Sequence, residues 1–158
     1  NINNGLPVVN KDKGWVFTYN LGTYIGAAVE LYAATKESSY LFDATKTANT
    51  VIVDNSISPE GILKNENQGD GGLFKGIFVR YFTLLIQQPD LSEAQRTNYI
   101  RFLKNNAETF FVNGIARPSM MSSPDWKKKP GSSTDLSTQL SGIMLLEAAA
   151  TLKAEGKL

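Results

Sequence analysis

The groups this chain lacks bound the chemistry it could perform. Its 158 residues include no histidine and no cysteine. That removes the commonest general base, the usual Ser-His arrangement, most zinc sites and all thiol chemistry. Proton transfer would have to rest on carboxylates, Tyr, Lys or a cofactor. Glu66 with Asp70, or Asp70 with Asp135, could form an acid/base pair of the kind that splits glycosidic bonds. Each of these carboxylates also has a plainer reading as a helix cap or a surface charge. The glycines of Gly69-Asp70-Gly71-Gly72-Leu73-Phe74-Lys75-Gly76 fit neither a Walker A loop nor a dinucleotide fingerprint, since no strand precedes them and the spacing is wrong. No cofactor and no metal site are expected.

Binding chemistry is easier to locate. Thr18-Tyr19-Asn20-Leu21-Gly22, the Gly69–Gly76 stretch and Leu136-Ser137-Thr138-Gln139-Leu140-Ser141-Gly142 each set polar residues and glycines just ahead of a long apolar run. A helix N-terminus offers free backbone donors and a partial positive charge. Tyr19, Asn20, Asp70 and Gln139 occupy such positions and are the candidate ligand contacts. Side chains that both donate and accept, with aromatic faces such as Trp15, Phe74 or Trp126, suit a sugar. The plainer alternatives are that Asn20 and Asp70 cap their helices, that Tyr19 is a core tyrosine, and that the glycines serve a turn and close packing.

Five helical segments must position these residues. The first spans about 19–35, with Leu21, Ile25, Ala28, Leu31 and Tyr32 at helical spacing. The second, about 39–54, is amphipathic: Leu41, Ala44, Ala48, Val51 and Ile52 form one stripe and Asp43, Lys46 and Asn49 face away. The third, about 71–88, is apolar nearly all round and reads as buried; Lys75 and Arg80 are its only charges, each needs a partner or a route to water, and ion pairing is the favoured role. Ser92-Glu93-Ala94-Gln95 is a capping-box start for the fourth. Tyr99, Leu103, Ala107 and Phe110 make its stripe, Arg96, Arg101, Lys104 and Glu108 point to solvent, and Asn113-Gly114 is a suitable stop. The fifth, about 136–154, again looks buried. The order is inner, outer, inner, outer, inner, as helical hairpins arranged in a ring require. Residues 1–17 read as an extended lead-in, a loop or short hairpin, and 113–134 as an irregular connection of the length that often carries function.

The net charge of +1 gives no electrostatic case for nucleic acid or an anionic membrane. Lys127-Lys128-Lys129 reads as a solvated loop. No segment has the length of a membrane span, and the first residues do not form a signal peptide. Asn1 without a methionine suggests a processed product or a piece of something longer.

At this point a resemblance emerges. Thr18–Gly22 with Gly26-Ala27-Ala28-Val29-Glu30-Leu31-Tyr32 resembles the TYNQG-type segment of glycoside hydrolase family 76. The stretch from Gly69 through Ile77-Phe78-Val79-Arg80-Tyr81 is similar to that family's most recognisable later motif, and Leu136–Gly142 with Leu146-Glu147-Ala148-Ala149-Ala150 to its last helix. The resemblance runs from Trp15 onward. It implies an all-α fold, part of an (α/α)6 barrel, and a parent protein that is an endo-acting α-1,6-mannanase. It further implies that 1–158 is the C-terminal portion of one such domain, that the ligand is a mannan-type oligosaccharide, and that the location is secreted, periplasmic or cell-surface. Two departures stand out. The family's catalytic pair of adjacent aspartates has no counterpart, because this chain contains no Asp-Asp, so no catalytic residue carries over. Leu21 stands where glutamine is common.

The leading expectation is therefore one wall of a sugar cleft, without turnover by this chain alone. Such a half ring would leave its terminal inner helices uncovered, so self-association or pairing with the missing N-terminal half is expected. Two other readings remain: a helical-repeat module that binds protein on a concave face, and another (α/α)6 carbohydrate-active protein such as an epimerase or lyase.

Overall fold

The computed structural model describes residues 16–158, preceded by the backbone of two short antiparallel strands, β1 (Ile2–Asn3) and β2 (Leu6–Pro7). Trp15, one of the expected aromatic faces, lies outside the described residues, as does most of the expected lead-in. Five long helices follow: α1 (Thr18–Thr35), α2 (Ser38–Val53), α3 (Gly71–Ile86), α4 (Glu93–Thr109) and α5 (Leu136–Ala154). The fold is all-α, as the periodicity predicts. A two-stranded hairpin, β3 (Ile115–Ala116) and β4 (Met121–Ser122), interrupts the last connection.

α3 is the centre of the molecule. It packs along α1 on one side and α5 on the other, which makes a layer of three inner helices; α2 lies against α1, and α4 against α5 and α3. Small residues set the spacing of that layer. A Cβ at Gly22 would stand 2.5 Å from the Cα of Phe78, and one at Gly72 would stand 2.4 Å from Thr138 Oγ1 and 2.8 Å from its backbone nitrogen. Neither position has room for a methyl group, so the helices approach almost backbone to backbone.

The outer helices follow their stripes. Ala44, Ala48 and Val51 of α2 are fully buried, as are Tyr99 and Leu103 of α4. Ser92 caps α4 by accepting from the Gln95 N–H at 3.3 Å. Gln95 answers with its side chain, but its Oε1 accepts from the Ser92 hydroxyl at 2.7 Å instead of reaching the backbone. The core gathers Ile25, Phe78, Phe82, Leu85, Tyr99, Phe110, Trp126 and Leu145. Phe82 is its aromatic hub, with ring centroids 5.2 Å from Phe78, 5.3 Å from Tyr99 and 5.8 Å from Phe102.

As expected of the terminal inner helices of a half ring, α1 and α5 keep uncovered flanks: Tyr24 and Leu31 on α1, and Leu140 and Ile143 on α5, are exposed. A layer of three helices covers the flank of its middle member but not the outer flanks of its ends. Arg96 does not point to solvent. Its guanidinium donates to the carbonyls of Ile86, of Gln88 at 2.8 Å and of Leu91 at 3.1 Å, and so satisfies the carbonyl end of α3 and the turn after it. The 113–134 connection is not structureless. A π-helical turn (Phe110–Gly114) leads into the β3–β4 hairpin, and Trp126 is buried beyond it. The three lysines there are exposed but tethered: Lys127 pairs with Glu60 at 3.1 Å, Lys128 with Asp125 at 3.7 Å, and Lys129 donates to the carbonyls of Val112 and Ile115. No helix among the described residues is long and apolar enough to cross a membrane.

Candidate functional site

The three inner helices open on one side of the molecule, and hydrogen bonds between their starts hold them there. The Thr18 N–H donates to Glu66 Oε1 at 2.9 Å and the Thr18 hydroxyl to Oε2, so the segment entering α3 closes the first turn of α1. Gly69 donates its N–H to Asp135 Oδ2 at 2.7 Å, Asp135 donates its own to Gln68 Oε1 at 2.6 Å, and the Ser137 hydroxyl donates to the Gly69 carbonyl at 2.6 Å. These bonds link the start of α3 to that of α5. With three N-termini side by side, the mouth carries partial positive charge and backbone donors.

A depression of ≈ 400 Å³ opens in this mouth, lined by Tyr19, Asp70, Leu73, Phe74, Ile77 and Ser137. Its floor is aromatic. The Tyr19 and Phe74 rings lie 4.4 Å apart; Phe17 stacks on Tyr19 at 6.3 Å and meets Phe74 tilted, at 5.3 Å. Tyr19 is half-buried and Asp70 exposed. An apolar floor with a phenol, a carboxylate and a hydroxyl at its rim can stack on one face of a small polyol and bond to its edges.

Of the predicted contacts, the structure brings Tyr19 and Asp70 together in this depression. Asn20 is one residue further along α1, exposed and outside the lining; its carbonyl accepts from the Thr23 hydroxyl at 3.1 Å. Neither Asn20 nor Asp70 caps its helix. Phe17 holds the cap position of α1, and Asp70 holds that of α3 with no side-chain bond to the helix start. Gln139 lies behind the mouth. Its Oε1 accepts from the Ser122 N–H at 3.0 Å and its Nε2 donates to the Met120 carbonyl at 3.1 Å, which clamps the β3–β4 hairpin onto α5. Leu21, in place of the resemblance's glutamine, is half-buried against the core.

The suggested acid/base pairs are not formed as such. Glu66 is buried beneath Thr18, and Asp135 is engaged by Gly69. Ser137 is the rim residue that the sequence did not single out; its place within the Leu136–Gly142 motif was the available signal. Arg80 takes the route to water rather than the favoured ion pair, and Lys75 takes a partner that is not a carboxylate. Arg80 is exposed, with its guanidinium 5.7 Å from the Tyr81 ring. Lys75 is only 2 % exposed; its ammonium donates to the Pro124 carbonyl and lies 4.4 Å from the Trp126 ring centroid. Burial pulls its pKa down to about 8, against the opposing pull of the Glu66 and Asp125 carboxylates.

Parallel inner helices backed by outer ones, with their N-termini at one mouth, define the class: all-α proteins built of helical hairpins that form part of an (α/α)6 barrel. The comparisons make this specific. A family model described as glycosyl hydrolase family 76 matches residues 7–157, and the chain belongs to that family. The GH76A α-1,6-mannanase from Salegentibacter sp. HEL1_6 is 50% identical, with a TM-score of 0.88 over 96% of this chain and 44% of its own. Inactive variants of that enzyme, each altered at two adjacent aspartates, were solved with α-1,6-mannotriose and α-1,6-mannotetrose and match equally well. The Lin0763 protein from Listeria innocua is 42% identical, with a TM-score of 0.80 over 91% of this chain and 40% of its own. The chain therefore spans less than half the length of these solved structures. No curated protein sequence matches it.

Proposed function

We propose that this chain is the C-terminal portion of an α-1,6-mannan-cleaving glycoside hydrolase and forms one wall of its substrate groove. The observation that carries the reading is the 50% identity, across 96% of the chain, to an enzyme solved with α-1,6-mannooligosaccharides. The depression at the inner helix starts supports it, because the aromatic pair Tyr19–Phe74 with Asp70 and Ser137 suits a hexose. Tyr19 and Asp70 contact the sugar first in this reading, and Asn20 lies beside them on the next position of α1. Gln139 acts there by holding the hairpin behind the mouth. A polymeric substrate of this kind is met outside the cytoplasm, so a secreted, periplasmic or cell-surface location belongs to the same reading.

Hydrolysis by two carboxylates needs both groups at the scissile bond. With no adjacent aspartate pair in the chain, the chemistry belongs to another segment and this one contributes binding. The test has two arms. The purified chain, incubated with α-1,6-mannan, should release no oligosaccharide. Combined with a family 76 N-terminal half that carries the aspartate pair, it should restore turnover, and Tyr19→Ala should weaken that turnover by about tenfold through lost ring contact. Turnover by the chain alone, or a restored activity indifferent to Tyr19→Ala and Asp70→Ala together, would overturn the assignment.

A further inference from the structure

Asp70 reaches the depression with a free side chain on a fixed backbone. Its carboxylate makes no bond to the helix it starts and stands exposed at the rim. The residue before it is held at both backbone groups. The Gly69 N–H donates to Asp135 Oδ2 at 2.7 Å, and the Gly69 carbonyl accepts from the Ser137 hydroxyl at 2.6 Å and the Gly72 N–H at 3.1 Å. Gly69 needs that grip: at φ +64° it sits in the left-handed region, and a glycine leaves any one conformation readily. The residue after Asp70 is confined by contact, since a Cβ at Gly71 would stand 1.9 Å from the Glu66 carbonyl oxygen. Asp135 meanwhile leaves its local role unfilled. It is the N-cap residue of α5, with the extended backbone of a cap, and its carbonyl accepts from the Gln139 N–H at 3.0 Å. An aspartate at that position ordinarily turns its carboxylate onto the second or third N–H of the helix. This one makes no such bond. Its Oδ2 crosses instead to the turn before Asp70, 66 residues away. Fastening α3 to α5 does not explain the choice, because the Ser137 bond and the approach of Gly72 to Thr138 already do so.

We propose that Asp135 is a positioning residue for the sugar site: by fixing the Gly69 N–H it aims the Asp70 carboxylate into the depression. That Asp70 touches sugar rests on the carbohydrate reading above; that Asp135 holds the turn does not. The physical basis is preorganisation. Glycine loses more backbone freedom on ordering than any other residue, and a turn ordered before the ligand arrives keeps that cost out of binding. A bond from a backbone N–H to an ionised carboxylate is of the stronger, charge-assisted kind. With it broken, the Gly69–Asp70 turn samples other conformations, and Asp70 meets the sugar only in a fraction of them, which lowers the apparent affinity by that fraction.

Asp135→Ser separates this role from a merely structural one. Serine is as good an N-cap as aspartate, so α5 keeps its start, but its hydroxyl is too short to reach Gly69. In the native chain the backbone amides of Gly69 and Asp70 should show NMR order parameters of roughly 0.85, as in a helix; in Asp135→Ser they should fall below about 0.6. With the family 76 N-terminal half present, Asp135→Ser should raise KM for α-1,6-mannan about tenfold with kcat little changed, the size of one lost bond to a charged group. Asp135→Asn keeps an oxygen within reach and should stay within about twofold of the native KM. In an Asp70→Ala background, Asp135→Ser should raise KM no further, because the two residues act through one contact. A Gly69–Asp70 turn that is mobile in the native chain, or that stays ordered in Asp135→Ser, overturns the proposal. An unchanged KM, or effects of the two substitutions that add in full, overturns it as well. If the native pair of halves shows no turnover, the carbohydrate reading falls, and the order parameters still decide whether Asp135 holds Asp70.

Discussion

Glu66 shows how one carboxylate can organise the mouth. It is almost wholly buried, yet both its oxygens are occupied, one by the backbone N–H of Thr18 and the other by the Thr18 hydroxyl. It serves α1 as a cap supplied from another part of the chain. Removing it leaves a buried donor unpaired, so Glu66→Ala should destabilise the fold by about 2–3 kcal/mol, measured by urea unfolding. Glu66→Gln keeps one acceptor and should cost about half as much. Equal, negligible effects from both would mean that Thr18 finds water instead. This role was not legible in the sequence. The two residues are 48 positions apart, and nothing in the composition around Glu66 separates a distant cap from a surface charge or half of an acid pair. The placement of Tyr19 and Asp70 at the mouth was legible because its signal is local: polar residues directly ahead of apolar runs. Gln139 gave the same local signal and lies behind the mouth, because the hairpin that claims its amide left no periodic trace.

At the scale of elements, close approach decides the arrangement. In the open interior of a helix, Gly→Ala ordinarily stabilises by about 0.5–1 kcal/mol. At Gly72 the new methyl would meet the Thr138 hydroxyl and backbone nitrogen at 2.4 and 2.8 Å, and backbone cannot yield as a side-chain tip can. Gly72→Ala should therefore destabilise the fold by about 2 kcal/mol or more, with α3 and α5 pushed apart and the unfolding midpoint lowered. A neutral or stabilising result in thermal unfolding would show the interface to be looser than drawn. The buried faces of the amphipathic helices were legible in outline, since one-sided burial leaves a 3.6-residue period. Ala44, Ala48 and Val51 of α2 and Tyr99, Leu103 and Ala107 of α4 are buried for that reason, whereas Thr45, Phe102 and Asn106 are buried outside the predicted stripes. α1 and α5 were legible as helices, and their uncovered flanks followed from their place at the ends of a half ring, but which side chains stand on those flanks was not, because an apolar sequence carries no mark of which flank a neighbour covers. Arg96 escaped for a related reason: an arginine on a polar face looks solvated until the carbonyl end of another helix is placed beside it.

At the scale of the molecule, the uncovered flanks have a direct consequence. Tyr24 and Leu31 on α1, with Leu140 and Ile143 on α5, expose large apolar side chains on the inner layer, where a closed ring would place further inner helices. The chain at micromolar concentration should self-associate, most simply as a two-fold dimer, and the pair Leu31→Lys with Ile143→Lys should shift it toward monomer in sedimentation. A native chain that sediments as a monomer at every concentration would mean that these side chains tolerate water. The reciprocal bonds among Gln68, Gly69, Asp135 and Ser137 carry a different kind of implication. Two segments 66 residues apart are complete only in each other's presence. For anyone recombining relatives of this chain, they are one heritable unit: a crossover point placed between them would exchange half of a lock, whereas one that keeps both from the same parent would carry the mouth across intact.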